Sequence, residues 1–95
     1  MSKTAITSPE LTPPVGPFSQ AILVNGFVYL SGQVGQDPAT GKLVQGGVVA
    51  EAEQAFSNAA AVLRAAGLVF DDVVSVRVPL GASVEIDMVA TGAGR

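Results

Sequence analysis

The chain contains no cysteine and no histidine among its 95 residues. The absence of cysteine excludes disulfides, thiolate nucleophiles and cysteine-ligated metal sites, and the absence of histidine removes the commonest general base and the commonest metal ligand. Any chemistry must therefore come from carboxylates, hydroxyls, backbone amides or the few basic side chains.

Charge is also scarce, since only 14% of the residues are charged and the eight acidic and five basic residues give a net charge of -3. With no window in which lysine and arginine cluster, this balance argues against nucleic acid as a partner. No apolar run approaches the ~18 residues needed to cross a bilayer, and the first ten residues lack an apolar signal core. The sequence therefore predicts a cytoplasmic protein with no membrane partner.

Hydrophobic residues, by contrast, make up 48% of the chain, and its mean hydropathy is +0.47. The length fits a single domain, residues 1–95, and leaves no room for a second core. Hydropathy this high in a small domain predicts that some apolar surface is covered at a subunit interface. We therefore expect an oligomer.

Turn signals mark the first half of the chain, after a proline-rich start that allows one short edge strand near Thr4 to Thr7. Asn25-Gly26 separates the strand-like runs AILV and FVYLSGQV, and this pair best supplies the positive φ angles of a type I′ hairpin. DPATG, residues 37–41, is predicted to form a surface turn. Alternation along the second run is expected to place four side chains on one face of that strand: Phe27, Tyr29, Ser31 and Gln33.

The second half of the chain predicts one helix followed by two strands. Apolar residues recur at three- and four-residue steps from Val48 to Ala66, which predicts an amphipathic helix that ends at Gly67, with Asn58 on its polar face. Strands are predicted over Val73–Val78 and Ser83–Ala90, the latter with its even-numbered residues inward. This order of elements predicts an α+β layer architecture with one helix against a sheet.

Polar residues on two of the predicted strands are candidates for chemistry. Ser31 and Gln33 flank Gly32, and a glycine inside a strand marks a close approach of a ligand or of another backbone or, alternatively, a bulge or a solvated face. Glu85 and Asp87 lie about 7 Å apart on one face, a spacing compatible with acid–base chemistry but also with simple alternation toward water. Because histidine and cysteine are absent, Glu85 is the natural remaining proton-transfer group.

Two further features are compatible with binding. The stretch PPVGPFSQ, residues 13–20, is a rigid approach that ends beside an aromatic residue, and as a bare pattern it equally predicts a packed loop. Arg77 is the only arginine predicted on a strand, where it would bind a carboxylate or pair with an acidic neighbour. Of these two roles, the ion pair is favoured.

In this order, the motifs resemble the reactive intermediate deaminase family, also called the Rid or YjgF-like family. The matching stretches are VGPFSQA, VYLSGQVGQDPATGKLV, QAFSNAAAVLRAAGL, DDVVSVRV and PLGASVEIDMVA. The resemblance implies a chorismate-mutase-like α+β fold, with a mixed sheet and helices on one face, and a homotrimer with ligand clefts between subunits. It also implies hydrolysis of 2-imino and enamine acids such as 2-aminoacrylate to 2-oxo acids and ammonia, with no cofactor and no metal.

The resemblance also assigns roles to particular residues. It gives Glu85 the water-activating position, places Ser31 and Gly32 in the cleft, and puts Phe18 at the wall that borders the substrate. Many active members carry tyrosine where this chain has Phe18, so one hydroxyl is lost. Two alternatives therefore stay open: a non-catalytic trimeric small-molecule-binding or chaperone-like member of the same superfamily, and an interaction domain whose exposed sheet recruits a partner.

The chain is shorter than typical members, and the missing length falls between Val78 and Pro79. At that junction the family carries a second helix and a strand with its substrate-binding arginine, which Arg77 does not match in strand position. One helix covers only ~10 Å of sheet width, whereas five strands span more than ~20 Å, so part of the apolar face is expected to lie bare. We therefore hypothesise that an internal segment is missing at this junction, either because 95 residues are not the whole protein or because the gene itself is shortened.

Overall fold

The computed structural model describes residues 3–13, 19–79 and 84–92 of the chain. These residues form a five-stranded sheet with one α-helix packed on it. The elements are β1 (Thr4–Ile6), β2 (Ala21–Val24), β3 (Phe27–Val34), α1 (Gly47–Ala65), β4 (Val73–Arg77) and β5 (Glu85–Thr91), with a 3-10 turn at Phe70–Asp72 before β4. The strand order is β1-β2-β3-β5-β4.

The α+β architecture predicted from the residues, with one helix against a sheet, is confirmed, whereas two details implied by the family resemblance, a mixed sheet and several helices, are not found among the described residues. Every strand pairing is antiparallel, whereas a mixed sheet was expected, and α1 is the single α-helix of the described part of the chain. The strands β3 and β4 do run in the same direction through the α1 crossover. Because β5 lies between them and pairs with both, no parallel pair forms.

The local turn and helix predictions are confirmed closely. Asn25 and Gly26 have φ angles of 53° and 80°, and they join β2 to β3 as the two central residues of a tight hairpin. The helix α1 starts one residue before the predicted position, and Gly67, with a φ of 76°, follows its end. Neither α1 nor any other helix among the described residues is long and apolar enough to cross a membrane.

The core lies between α1 and the strands β3 and β5. Alternate residues of β5 point into it as predicted, and Ile86 is fully buried. The helix comes close to the end of β3 at Gly35, where a β-carbon would lie only 2.7 Å from the Cα of Glu51. The remaining core residues are contributed by several elements: Ala21, Val28, Leu30, Ala55, Ala59, Val62, Leu63, Leu68, Val84, Met88 and Ala90.

The helix packs on β3 and β5, and β4 is exposed beyond its first residue, Val73, which contacts the core. Val76 and Val78 are 46% and 44% exposed. At the flank of α1, the ring of Phe56 is also exposed and meets the ring of Phe70 edge-on at 6.3 Å. The expectation that a single helix leaves part of the apolar face bare is therefore confirmed, and the bare strip follows β4.

Candidate functional site

A β-bulge in β3 forms the base of the candidate site. The register between β3 and β5 shifts between Leu30 and Gln33, so Ser31 and Gly32 together lie opposite the single residue Asp87. The bulge faces the side of the sheet away from α1, which we call the open face. Part of the alternative prediction for Ser31 and Gly32, a bulge, is thus confirmed.

The bulge also reverses the side-chain alternation of β3. Beyond it, Gln33 pairs with the buried Ile86, and Val34 pairs with Glu85. The prediction that Gln33 shares a face with Ser31 is therefore wrong, because the extra residue moves every following side chain to the opposite side.

Glu85 reaches from β5 across to this bulge. A β-carbon added at Gly32 would overlap the Oε1 atom of the Glu85 carboxylate, so only glycine lets this carboxylate lie against the strand backbone. The Glu85 side chain is half-buried, on the same face as Asp87. The close approach predicted at Gly32 was that of a ligand or another backbone, and in the structure the Glu85 side chain lies there.

The hydroxyl group of Ser31 donates its hydrogen bond to the protein backbone. Its Oγ donates to the carbonyl oxygen of Ser19 at 2.5 Å, and its backbone N–H donates to the carbonyl of Gln20 at 2.9 Å. The hydroxyl oxygen keeps its acceptor capacity toward an N–H of a ligand. Phe18, the residue covalently next to Ser19, lies outside the described residues, so its predicted place at the cleft wall stays a prediction.

Gln20 holds the N-terminal loop against the site, and sequence reasoning missed it. Its side chain is buried, its Oε1 accepts the backbone N–H of Ser8 at 2.5 Å, and its Nε2 donates to the carbonyl of Thr12 at 3.3 Å. The loop is also tied to α1, where Arg64 donates to both carboxylate oxygens of Glu10 at 2.7 and 3.1 Å. This fork lowers the pKa of Glu10 and raises that of Arg64, mainly through the side-chain hydrogen bonds.

Asn58 on α1 is a second residue whose place the sequence did not predict. It was expected to face solvent but is 5% exposed, and its Nδ2 donates to the carbonyls of Val34 and Gln36 at 3.0 and 2.8 Å. These carbonyls lie where β3 leaves the sheet; that of Val34 also accepts the backbone N–H of Gln36, and Asn58 supplies a further donor to both. The prediction failed because this contact is set by the strand beneath the helix.

Two clefts meet at Ser31 and Gly32. The first, of about 260 Å³, lies under the N-terminal loop and includes Thr12, Ser19 and Asn58 in its lining. The second, of about 440 Å³, lies on the open face. Besides the two bulge residues, it is lined by Tyr29, Leu30, Ser75, Arg77, Asp87, Met88 and Val89.

An ion pair stands at the edge of the second cleft. The Nη2 of Arg77 lies 3.1 Å from the Oδ2 of Asp87, and the two residues are direct partners in the β4–β5 register. The ion pair favoured from the sequence is therefore confirmed. Within residues 3–13, 19–79 and 84–92, no group of three acidic side chains is placed to hold a metal ion.

Comparison with known proteins finds similarity over most of the chain. A family model described as "Endoribonuclease L-PSP" matches residues 9–80. The 2-iminobutanoate/2-iminopropanoate deaminase of Capra hircus is 54% identical over 66 residues, which cover 70% of this chain and 48% of that protein. The deaminase of the same name from Homo sapiens is 52% identical over the same length. The chain thus spans about half the length of these curated relatives, which is consistent with the expected missing segment.

Solved structures share the fold. RidA from an Antarctic Psychrobacter species is 30% identical, with a TM-score of 0.80 over 93% of this chain and 98% of that one. A protein of unknown function from the conserved Rid family of Yersinia pestis is 28% identical, with a TM-score of 0.85 over 95% and 99% of the two chains. The YjgF gene product of E. coli, at 21% identity and a TM-score of 0.82, supports the fold alone.

Proposed function

This chain belongs to the Endoribonuclease L-PSP family, which includes the Rid and YjgF proteins, and on that basis we propose that it hydrolyses reactive 2-imino and enamine acids to 2-oxo acids and ammonia. The observation that carries the proposal is the placement of the Glu85 carboxylate on the backbone of Gly32, next to Ser31. Relatives at about 50% identity are named 2-iminobutanoate/2-iminopropanoate deaminases, which supports the substrate class.

Glu85 has the role of the general base in this proposal. Its carboxylate accepts a proton from a water molecule as the water oxygen bonds to C2 of the imine, and the C=N double bond becomes a single bond in a carbinolamine. The proton then passes from Glu85 to the nitrogen, and the C–N bond breaks so that ammonia leaves. The carbinolamine oxygen forms the C=O bond of the 2-oxo acid as its hydroxyl proton passes to the Glu85 carboxylate. An enamine such as 2-aminoacrylate enters this sequence after its C3 is protonated, which makes the imine.

Ser31 orients the substrate nitrogen. Because its hydroxyl hydrogen is donated to Ser19, its oxygen accepts an N–H from the protonated imine. Such an acceptor also stabilises the positive charge that makes C2 electrophilic. The backbone at Gly32 and the ring of Phe18 complete the binding site in this proposal.

A homotrimer is proposed as the active assembly, with the open face at its interface. Phe27 and Tyr29 are 38% and 47% exposed there, although both are large and apolar or aromatic. Their rings lie next to each other, with centroids 6.4 Å apart. Covering such a patch by neighbouring subunits would also enclose the clefts at the bulge.

The test is ammonia release from 2-aminoacrylate generated in place, for the wild type and for Glu85→Gln. We expect Glu85→Gln to lower the rate at least a hundredfold, in line with the usual loss on removing a general base, while the oligomeric state stays the same. Glu53→Gln is the matched control, since Glu53 is exposed on α1. Wild-type turnover that survives Glu85→Gln would contradict the role of Glu85.

The alternative is a non-catalytic member that binds small molecules. It is favoured by one observation, that the chain spans 48% of its deaminase relatives. In that case the wild type releases no ammonia but still binds a 2-oxo acid saturably. The endoribonuclease in the family's description is less consistent with this chain, whose net charge of -3 gives no electrostatic attraction for RNA phosphates.

A further inference from the structure

The bulge in β3 takes Ser31 out of the regular ladder between β3 and β5. The register shifts between Leu30 and Gln33, so Ser31 and Gly32 lie opposite one residue of β5. In a bulge of this kind the extra residue is left unpaired, and its backbone groups take hydrogen-bond partners outside the ladder. The position of Ser31 therefore depends on groups other than the neighbouring strand β5.

Hydrogen bonds from two sides hold Ser31. Its hydroxyl donates to the carbonyl of Ser19 at 2.5 Å, and its backbone N–H donates to the carbonyl of Gln20 at 2.9 Å. Its own carbonyl oxygen accepts a hydrogen bond from the Nε2 of Gln33 at 3.0 Å. The segment before β2 thus holds the hydroxyl and the N–H of Ser31, and Gln33 holds its carbonyl.

Gln33 suits this contact in its chemistry and in its place. A side-chain amide carries two N–H donors without a charge, so it can pair with a backbone carbonyl. The side chain is half-buried and lines the first cleft together with Ser31 and Gly32. Because Gln33 is the residue at which the regular register with β5 resumes, its hydrogen bond to Ser31 spans the bulge.

The hydrogen bond at the Ser31 carbonyl also bears on Gly32. The carbonyl of Ser31 and the N–H of Gly32 form one peptide group, and since that group is planar, a contact that fixes its oxygen also restrains the Cα of Gly32. A β-carbon on this Cα would overlap the Oε1 atom of Glu85, so the proposed base lies directly against it. One side-chain amide therefore restrains both Ser31 and the backbone on which the Glu85 carboxylate lies.

We propose that Gln33 is a positioning residue, whose amide holds the peptide between Ser31 and Gly32 in the bulged conformation and so sets where the Glu85 carboxylate lies. Gln33 acts through the backbone in this proposal and does not touch the substrate. Its effect on turnover rests on the proposed function. Its effect on the bulge does not, because that effect is measurable without a substrate.

The first test is NMR spectroscopy of the folded chain without substrate, in which the wild type is compared with Gln33→Met. Methionine has about the length of glutamine and no N–H donor. We expect three signals to shift together, those of the Ser31 carbonyl carbon, the Gly32 amide and the Glu85 carboxyl carbon. Unshifted signals of Gly32 and Glu85 in the folded variant would overturn the proposal.

Gln54→Met is the matched control for this substitution. Gln54 on α1 is also half-buried, and its Nε2 also donates one side-chain hydrogen bond, to the Oδ1 of Asn58 at 2.9 Å. Its loss should leave the three signals at their wild-type positions. Shifts of equal size in the two variants would overturn the proposal, because they would reflect a general loss of a glutamine and not the contact across the bulge.

Gln33→Glu provides a rescue that depends on the hydrogen bond itself. An ionised carboxylate cannot donate to a carbonyl, whereas a protonated carboxyl group can. As the pH falls through the usual pKa of a glutamate, about 4.3, the Ser31 carbonyl signal of this variant should return toward its wild-type position, with the wild type titrated in parallel. A signal that stays displaced after this carboxyl group is protonated would overturn the proposal.

Ammonia release separates this proposal from the deaminase. Gln33→Met should lower kcat about tenfold or more and leave KM nearly unchanged, because misplaced reacting groups slow turnover more than they weaken binding. Gln54→Met should keep the wild-type rate. Wild-type kcat in Gln33→Met would overturn the positioning role, whereas a wild type that releases no ammonia while the three signals still shift would overturn the deaminase and leave the role of Gln33 at the bulge.

Discussion

The carboxylate of Glu85 occupies the space that a β-carbon at Gly32 would need. The two residues come from neighbouring antiparallel strands, and the bulge in β3 brings them together. Glycine therefore has a positional function here, since it allows an acidic side chain to lie against the strand backbone at the bulge that also contains Ser31. The proposed reaction depends on this arrangement.

Gly32→Ala should lower the ammonia-release rate at least tenfold while leaving the fold intact. The new methyl group would displace the Glu85 carboxylate, and that carboxylate is the end of a flexible side chain on a half-buried strand position. The free energy of unfolding should therefore change by less than about 1 kcal/mol. Activity assays and urea denaturation of the same preparation measure both quantities, and unchanged activity would show that the position of this carboxylate is unimportant.

Gly35→Ala, in contrast, should lower the free energy of unfolding. A β-carbon there would lie 2.7 Å from the Cα and the carbonyl oxygen of Glu51, which are backbone atoms of α1 and cannot move alone. Overpacking of this kind costs roughly 1–3 kcal/mol. Urea denaturation should show the loss relative to Gly32→Ala, and equal stability of the two variants would mean that α1 shifts away from β3 without cost.

Local sequence signals predicted the elements well, because each carries its own physical cause. Asn25-Gly26 adopts the positive φ angles of a hairpin turn with little help from neighbouring elements. Gly67 likewise adopts the positive φ angle that ends α1. The alternation of β5 likewise predicted its buried face correctly.

Features that depend on a neighbouring element were not predictable in the same way. Gly32 suggested a bulge only as an alternative, and because the register between β3 and β5 decides whether a bulge forms, the reversal at Gln33 was not predicted. Asn58 is buried where its side chain donates to two carbonyls at the end of β3, a contact that depends on how α1 packs on that strand. The structure brings Glu85, Ser31 and Gly32 together, and their roles stay predictions, whereas Gln20 and its contacts were not predicted.

The pair Val76 and Met88 tests whether the bare strip on β4 is exposed in solution. The two residues are direct cross-strand partners, but Val76 is 46% exposed and Met88 only 3%. Met88→Ala should cost about 2–5 kcal/mol of unfolding free energy, and Val76→Ala less than about 1 kcal/mol. Urea denaturation measures both. A cost at Val76 as large as that at Met88 would show that another segment or subunit covers the strip.

The fork between Arg64 and Glu10 gives a stability contribution that depends on pH. Hydrogen bonding to Arg64 lowers the pKa of Glu10 in the folded state, so the folded protein holds this proton less tightly than the unfolded chain. The contribution is therefore present above the pKa of an unfolded glutamate, about 4.3, and it disappears as the pH falls through the lowered pKa of the folded state.

Glu10→Gln should accordingly lower the Tm slightly at pH 7, and the difference from the wild type should vanish in strongly acidic solution. The effect should be small and weakened by salt, because both side chains are about half exposed. Thermal unfolding from pH 2.5 to pH 7 measures it, with Glu53→Gln as the control that changes an exposed carboxylate of α1. A difference that persists below the lowered pKa of Glu10 would show that the substitution acts through packing of the N-terminal loop and not through the charge pair.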